Sequence, residues 1–383
     1  MSVTGPAGFR AAGVTAGLKA SGRPDLALVV NDGPDHHGAA VFTGNRVEAA
    51  PVTWSRQVVG DGRVDAVVLN SGGANACTGV EGFADTHRTA EHVAQVLGCS
   101  AGDVVVCSTG LIGERLDMPV LLAGVDAAAG VLAGDGGPAA AEAIMTTDTV
   151  AKQAVAGGPG WSVGGMAKGA GMLAPALATM LVVLTTDAVT SPEALAAALR
   201  SATGQTFDRI DSDGCMSTND TVVLLASGAS GVPATEQDLT AAVTQVCAGL
   251  ARRLIGDAEG AAHDIAVRVS GAATEEDALE VARAVARSNL LKCAIFGNDP
   301  NWGRILAAVG TTAAAFDPHH LDVSINGVQV CRDSGVGDDR SGVDLSGREV
   351  DILIELHAGE ATATVWTNDL THDYVHENSA YST

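Results

Sequence analysis

The sequence predicts a compact α/β or α+β enzyme rather than a surface built on aromatic anchors, on three observations. The 383 residues are 46% hydrophobic and 17% charged, a globular balance with room for two or three packed units. Only 4 Trp, 2 Tyr and 6 Phe are present, so Val, Leu, Ile and Ala must fill the core, while 47 glycines permit close backbone approach. Short β-branched runs and capped amphipathic stretches follow one another along the chain.

Residues 1–22 carry Pro6 and Gly8 and no apolar run behind a basic start, so they do not read as a secretory signal. Residues 64–69 (VDAVVL) and 104–107 (VVVC) are expected as buried strands, each opening at its carboxyl end onto a small-residue turn, Asn70-Ser71-Gly72-Gly73 and Ser108-Thr109-Gly110. The alanine- and glycine-rich residues 127–141 read as a helix followed by a surface turn. Residues 169–186 form an uncharged stretch of 18, near the lower bound for a membrane span. Pro175, three threonines and several small residues favour instead a buried strand behind a glycine-rich loop. Ser191-Pro192-Glu193 caps a helix running to Gly204, and Thr235 caps a longer one whose Leu239, Val243, Val246, Leu250 and Leu254 share a face until Gly256 ends it. Ile265, Val267 and Val269 alternate as a strand, and Thr274 with Asp277 opens a helix, so a separate α/β unit is expected from about residue 262.

A count of 22 basic against 45 acidic residues gives a net charge of −23, the wrong sign for nucleic acid or anionic membranes as partners. The seven cysteines, Cys77, Cys99, Cys107, Cys215, Cys247, Cys293 and Cys331, are scattered and odd in number, as reduced and mostly buried thiols of a cytoplasmic protein would be. Asp211-Ser212-Asp213-Gly214 resembles the middle of a calcium loop, but the register puts Arg209 at the first ligand position, so an acidic solvated or substrate-side loop is expected. The pairs His36-His37 and His319-His320 are adjacent, which points their rings apart on a strand, and no H-E-x-x-H motif occurs, so no catalytic metal is expected. Hydrolase-elbow, nucleotide-loop and dinucleotide-binding motifs are absent from the sequence as well.

Chemistry concentrates where Lys168 and a glycine loop lead through Ala178 and Thr179 into the apolar run 180–184. Were the Ala178–Thr179 bond cut, Thr179 would gain an α-amino group with a pKa of about 7.7 to 8.0, suited to a general base at neutral pH, beside its own hydroxyl nucleophile. On composition alone, Thr179 reads as a packed β-branched strand residue, and Lys168 and Glu259 as solvated surface charges.

The segments Ala167-Lys168-Gly169-Ala170-Gly171-Met172 and Ala178-Thr179-Met180-Leu181 resemble the processing and nucleophile motif of the glutamate N-acetyltransferase / ornithine acetyltransferase family of arginine biosynthesis. Residues 70–79, 108–110, 145–149, 217–221, 299–304 and 377–383 match that family in the same order. The resemblance implies self-cleavage between Ala178 and Thr179, Thr179 as nucleophile, and an oxyanion hole from the Thr109 hydroxyl and the Gly110 N–H. It implies substrate contacts from Thr146, Lys168, Thr179, Glu259, Asn378 and Thr383. The acetyl group would pass from N2-acetylornithine to glutamate, with no cofactor and with acetyl-CoA as a further possible donor. Lys168 is expected to support an anionic group and Glu259 the ornithine ammonium.

The same resemblance implies an α+β fold, with an αββα-type sandwich formed by both processed chains: residues 1–178 as the α chain with the oxyanion hole, and 179–261 as the β-chain part beginning with the nucleophile. Residues 262–383 would form a smaller carboxyl-terminal α/β domain with a substrate-contacting tail, and two α and two β chains would assemble. Three departures from the family pattern leave every catalytic group in place: Ala258 for Gly, His263 for Lys, and Ala176-Leu177 for Asn-Met. Two alternatives stand beside this reading: an amino-terminal-threonine aminopeptidase or deacylase using water as acceptor, and a non-catalytic binding protein whose chain stays whole.

Overall fold

Strands of Val, Leu and Ala that are buried on both faces organise the first part of the chain. The computed structural model describes residues 2–174 and 180–380, in two units, residues 1–208 with 216–257 and residues 209–215 with 258–382. The first unit contains β1 (Phe9–Val14), β2 (Leu26–Asn31), β3 (His37–Phe42), α1 (Ala50–Val58), β4 (Ala66–Asn70), α2 (Gly79–Leu97), β5 (Val104–Ser108), α3 (Met118–Gly130), α4 (Gly137–Ala143), β6 (Lys152–Gly158), β7 (Trp161–Lys168), β8 (Leu181–Thr186), α5 (Pro192–Gln205), β9 (Thr221–Ala226) and α6 (Glu236–Gly256). They form a sheet of order β1-β2-β4-β5 and another of order β3-β9-β8-β7-β6. The β4–β5 and β8–β9 pairs are parallel and the other pairs antiparallel.

The period-two geometry of a strand sends alternate side chains to opposite faces. Val67, Leu69 and Val105 therefore join Met166, Val183 and Val223 of the other sheet in one apolar cluster. Their neighbours Val68, Val104 and Val106 pack with Val93 of α2 and Leu121 and Val125 of α3. On the other sheet, a Cβ at Gly165 would stand 2.6 Å from Leu184 and 3.1 Å from Val246 of α6, so glycine is what lets that helix approach. The alanine-rich residues 127–141 differ from expectation: α3 ends, a turn follows, and a further buried helix, α4, begins. It lies against Gly13 of β1, where a Cβ would come within 2.0 Å of Ala139 O.

The second unit contains β10 (Asp264–Ala272), α7 (Glu275–Ala286), α8 (Asn289–Phe296), α9 (Trp302–Val309), β11 (Asp322–Ile325), β12 (Val328–Arg332), β13 (Gly335–Val336), β14 (Glu349–Glu355), β15 (Ala361–Asn368) and α10 (His372–Ala380). Its sheet, of order β13-β12-β11-β14-β10-β15, is antiparallel except for β10–β14. Val267 and Val269 of β10 bury against Val281 and Val285 of α7, with Ile352 and Val365 in the same cluster.

Two expectations are corrected here. The 211–214 stretch is solvated only in part: Gly214 is exposed and Asp213 half-buried, but Asp211 is buried, accepting from Arg287 Nε at 2.6 Å and from its own turn at Gly214 N at 3.0 Å. Of the cysteines, all free thiols, only Cys107, Cys247 and Cys331 are buried, while Cys77, Cys215 and Cys293 are exposed. No described helix is long and apolar enough to cross a membrane.

Candidate active site

β4 and β5 run parallel and in register, so Asn70 and Ser108 end side by side and their two turns meet. Ser108 Oγ donates to Asn70 Oδ1 at 2.6 Å, Asn70 Nδ2 donates to Gly73 O at 3.0 Å, and Thr109 N donates to Asn70 O at 3.0 Å. Gly110 then takes φ +131°, and a Cβ there would lie 2.7 Å from Gly73 N. Both the dihedral and the close approach require glycine. The end of β5 thus holds Thr109 and Gly110 in a turn fixed by Asn70 and by the close approach of Gly73.

Lys168, the last residue of β7, is buried and donates from Nζ to Thr109 Oγ1 at 3.3 Å. Because the Thr109 oxygen accepts from an ammonium, its own proton is directed elsewhere and polarised, making the hydroxyl a better donor.

Next along the chain, Asp148 gathers this end of the site. Its Oδ1 accepts from Lys152 Nζ at 2.6 Å and from Gly169 N at 2.7 Å, and its Oδ2 from Thr146 N at 2.9 Å. Burial works against the charge, but Lys168, Lys152 and the Gly169 N–H outweigh it and hold the Asp148 carboxyl at about 2. Lys152 Nζ also donates to Asp257 Oδ2 at 2.5 Å, with both lysine and Asp148 side chains at 0% exposure. Asp257 in turn accepts from the Thr149 amide at 3.0 Å and from its hydroxyl. Thr146 is therefore set by a buried, charge-balanced chain of groups.

Sequence reasoning missed Lys19. Its loop winds around the Asp25 carboxylate, which accepts from the amides of Ala16, Gly17, Leu18 and Lys19 at 2.6 to 3.0 Å. Lys19 Nζ then donates to Pro24 O at 2.8 Å and to Met145 O at 2.6 Å, the residue before Thr146. Partial burial, with the charges of Arg23 and Lys168, lowers its ammonium to about 8. The sequence offers no local sign of this, since 126 residues separate donor and acceptor.

In the second unit, Glu259 Oε2 accepts from Asn378 Nδ2 at 2.9 Å, and the same amide donates to Tyr374 O at 3.0 Å. Thr371 Oγ1 donates to Gly260 O at 2.6 Å and accepts from Tyr374 N at 3.0 Å, which seats the start of α10 on the Glu259 loop. His263 stands between Asp369 Oδ2 at 2.7 Å and Leu345 O at 3.1 Å. These two contacts fix the ring between the end of β15 and the Leu345 loop. Burial, together with Asp213, Cys215 and Glu259, pushes the Tyr374 phenol up.

Thr109, Gly110, Thr146 and Lys168 thus come together in the first unit, and Glu259 with Asn378 in the second. Ala178, Thr179 and Thr383 lie outside the described residues. His372 and His376 stand at helical i, i+4 spacing on α10, yet no group of three or more potential metal ligands gathers among the described residues.

Comparison with known proteins bears on the whole chain. The ArgJ family model matches residues 10–383. Arginine biosynthesis bifunctional protein ArgJ of Thermobifida fusca is 64% identical over 383 residues, covering 100% of both chains. The protein of that name in Streptomyces coelicolor is 65% identical over 382 residues, again covering 100% of both. Among solved structures, ornithine acetyltransferase complexed with ornithine from Mycobacterium tuberculosis is 59% identical, covering 47% of this chain and 96% of that one, with a TM-score of 0.45. On a family match spanning nearly its full length and relatives above 60% identity from end to end, the chain belongs to the ArgJ family.

Proposed function

We propose that this chain cuts itself between Ala178 and Thr179 and then carries an acetyl group from N2-acetylornithine to glutamate on the Thr179 hydroxyl, as an enzyme of arginine biosynthesis. The observation that supports it most is the Thr109–Gly110 turn, held rigid by Asn70 and Gly73 and polarised by Lys168 at 3.3 Å. Cleavage frees the Thr179 amine, which takes the proton of its own hydroxyl as that oxygen attacks the acetyl carbonyl. Thr109 and Gly110 donate to the resulting oxyanion, the amine returns its proton to the departing ornithine nitrogen, and acetyl-Thr179 remains. Glutamate reverses these steps and leaves as N-acetylglutamate.

Recognition follows the charges. Lys168 favours a substrate carboxylate, and Glu259, oriented by Asn378, favours the ornithine ammonium. The chemistry needs no cofactor, and acetyl-CoA is a second acetyl donor to the same threonine. The layers of the first unit are read as the αββα sandwich formed by both processed chains, of 178 and 205 residues, two of each assembling.

The test is to mix purified protein with N2-acetylornithine, with and without glutamate, and read the intact mass of the chain that begins at Thr179. The proposal predicts one added acetyl group that glutamate removes, and little net acetylornithine consumption without glutamate. Equal consumption in both arms would instead mean that water is the acceptor.

A further inference from the structure

We infer that Asn219 and Asp220 form a clamp that fixes the nucleophile strand relative to the oxyanion turn, an inference resting on Thr179 as the nucleophile. The two residues precede β9, which runs parallel to β8 with Thr221 opposite Leu181. Asn219 reaches one way: its Nδ2 donates to Ser108 O at 2.8 Å, just before Thr109, and to Ala74 O at 2.6 Å, just after Gly73. One amide therefore spans both turns of the oxyanion platform. Asp220 reaches the other way, its Oδ1 accepting from Met180 N at 3.0 Å, the residue after Thr179 in the chain. Consecutive side chains thus hold the two halves of the proposed machinery, and both are buried, at 5% and 0% exposure.

A role in folding alone does not account for the acid at 220. Its Oδ2 has no hydrogen-bond partner among the described residues, an expensive arrangement for a buried carboxyl that an apolar residue would avoid. Burial pushes this carboxyl well above the ordinary range, against the opposing effects of the Met180 amide, the Ser217 hydroxyl and Lys168. Burial that disfavours the charged form lets Asp220 anchor Met180 while limiting negative charge near the residue that follows the cut. Such a charge would raise the pKa of the amine and keep it protonated when a base is needed. Asp220 is accordingly a positioning residue whose charged form its buried surroundings disfavour.

The test compares Asp220→Asn, Asp220→Leu and Asn219→Leu with wild type for chain cleavage by intact mass, melting temperature, kcat, KM and the pH profile of kcat/KM. Asp220→Asn keeps a neutral acceptor for Met180 N and should cleave, turn over within about threefold of wild type and keep the profile. The leucine variants should lose about 100-fold in kcat with KM changed by less than about threefold, the scale of a displacement near 1 Å. Asp220→Leu folded and fully active, or Asp220→Asn as impaired as Asp220→Leu, would overturn the clamp. Should Asp220→Leu fail to fold, Asp220→Glu decides: the same carboxyl moved by one methylene should lose at least about tenfold in kcat, and wild-type turnover would overturn the inference. An uncut, active wild type would defeat the nucleophile assignment itself, whereas a cut wild type with unimpaired variants would defeat only the clamp.

Discussion

Replacing Asp148 by asparagine removes the charge on which Thr146, Lys152 and Gly169 converge. The wild-type carboxyl is fully buried yet held at about 2 rather than the ordinary 3.8, because Lys168, Lys152 and the Gly169 amide outweigh the burial that opposes them. At about 1.4 kcal/mol per pH unit, that depression corresponds to roughly 2 kcal/mol of folding free energy. The sign follows from the direction: a depressed carboxyl stabilises the fold above the ordinary 3.8 and loses that contribution as pH falls through about 2. Urea unfolding followed by tryptophan fluorescence from pH 6 to about 2, in the Thr179→Ala background so that chain cleavage does not intervene, measures it. The stability gap between the protein that retains Asp148 and its Asp148→Asn variant should be about 3 kcal/mol near neutrality, at the low end for a broken buried pair because Asp257 still holds Lys152 at 2.5 Å. It should narrow by roughly 2 kcal/mol between pH 5 and 2. A gap that stays constant across this window would refute the charge-balance reasoning.

The remaining predictions concern the site. Thr109→Ala should cost about 100- to 1000-fold in kcat while KM for acetylornithine holds, as steady-state kinetics will read. Gly110→Ala, which forces a Cβ to 2.7 Å from Gly73 N at φ +131°, should lower the melting temperature and abolish most turnover. Glu259→Gln keeps the hydrogen-bonding shape but loses the charge, so KM for acetylornithine should rise about tenfold or more; unchanged KM for both substrates would remove Glu259 from recognition.

Local patterns carried the parts of the fold that local physics decides. The β-branched runs became β4, β5 and β8, and Ser191, Thr235 and Thr274 accept from the amides of Ala194, Asp238 and Asp277 as helix caps. What stayed hidden depends on contacts between distant residues. Around residue 137, Pro138 in the first turn is a start signal for α4, but its alanines make sense only against Gly13. Asp211 looked solvated because its partner Arg287 lies 76 positions away. Lys152 and Asp257, separated by 105 positions, and Lys19 with Met145 likewise leave no periodic trace. Asn219 and Asp220 were visible as a motif but not as a bridge between two turns. Thr109, Lys168, Glu259 and Asn378 were named through resemblance, since spacing alone gives no reason to join them.

The central claim is that Thr179 becomes an amino-terminal nucleophile. Intact mass of the denatured wild type beside Thr179→Ala, with amino-terminal sequencing of any second chain, tests it most directly. The account predicts wild-type chains of 178 and 205 residues, the second starting at Thr179, and an uncut, inactive variant. A single uncut wild-type chain with full acetyl-transfer activity would contradict it.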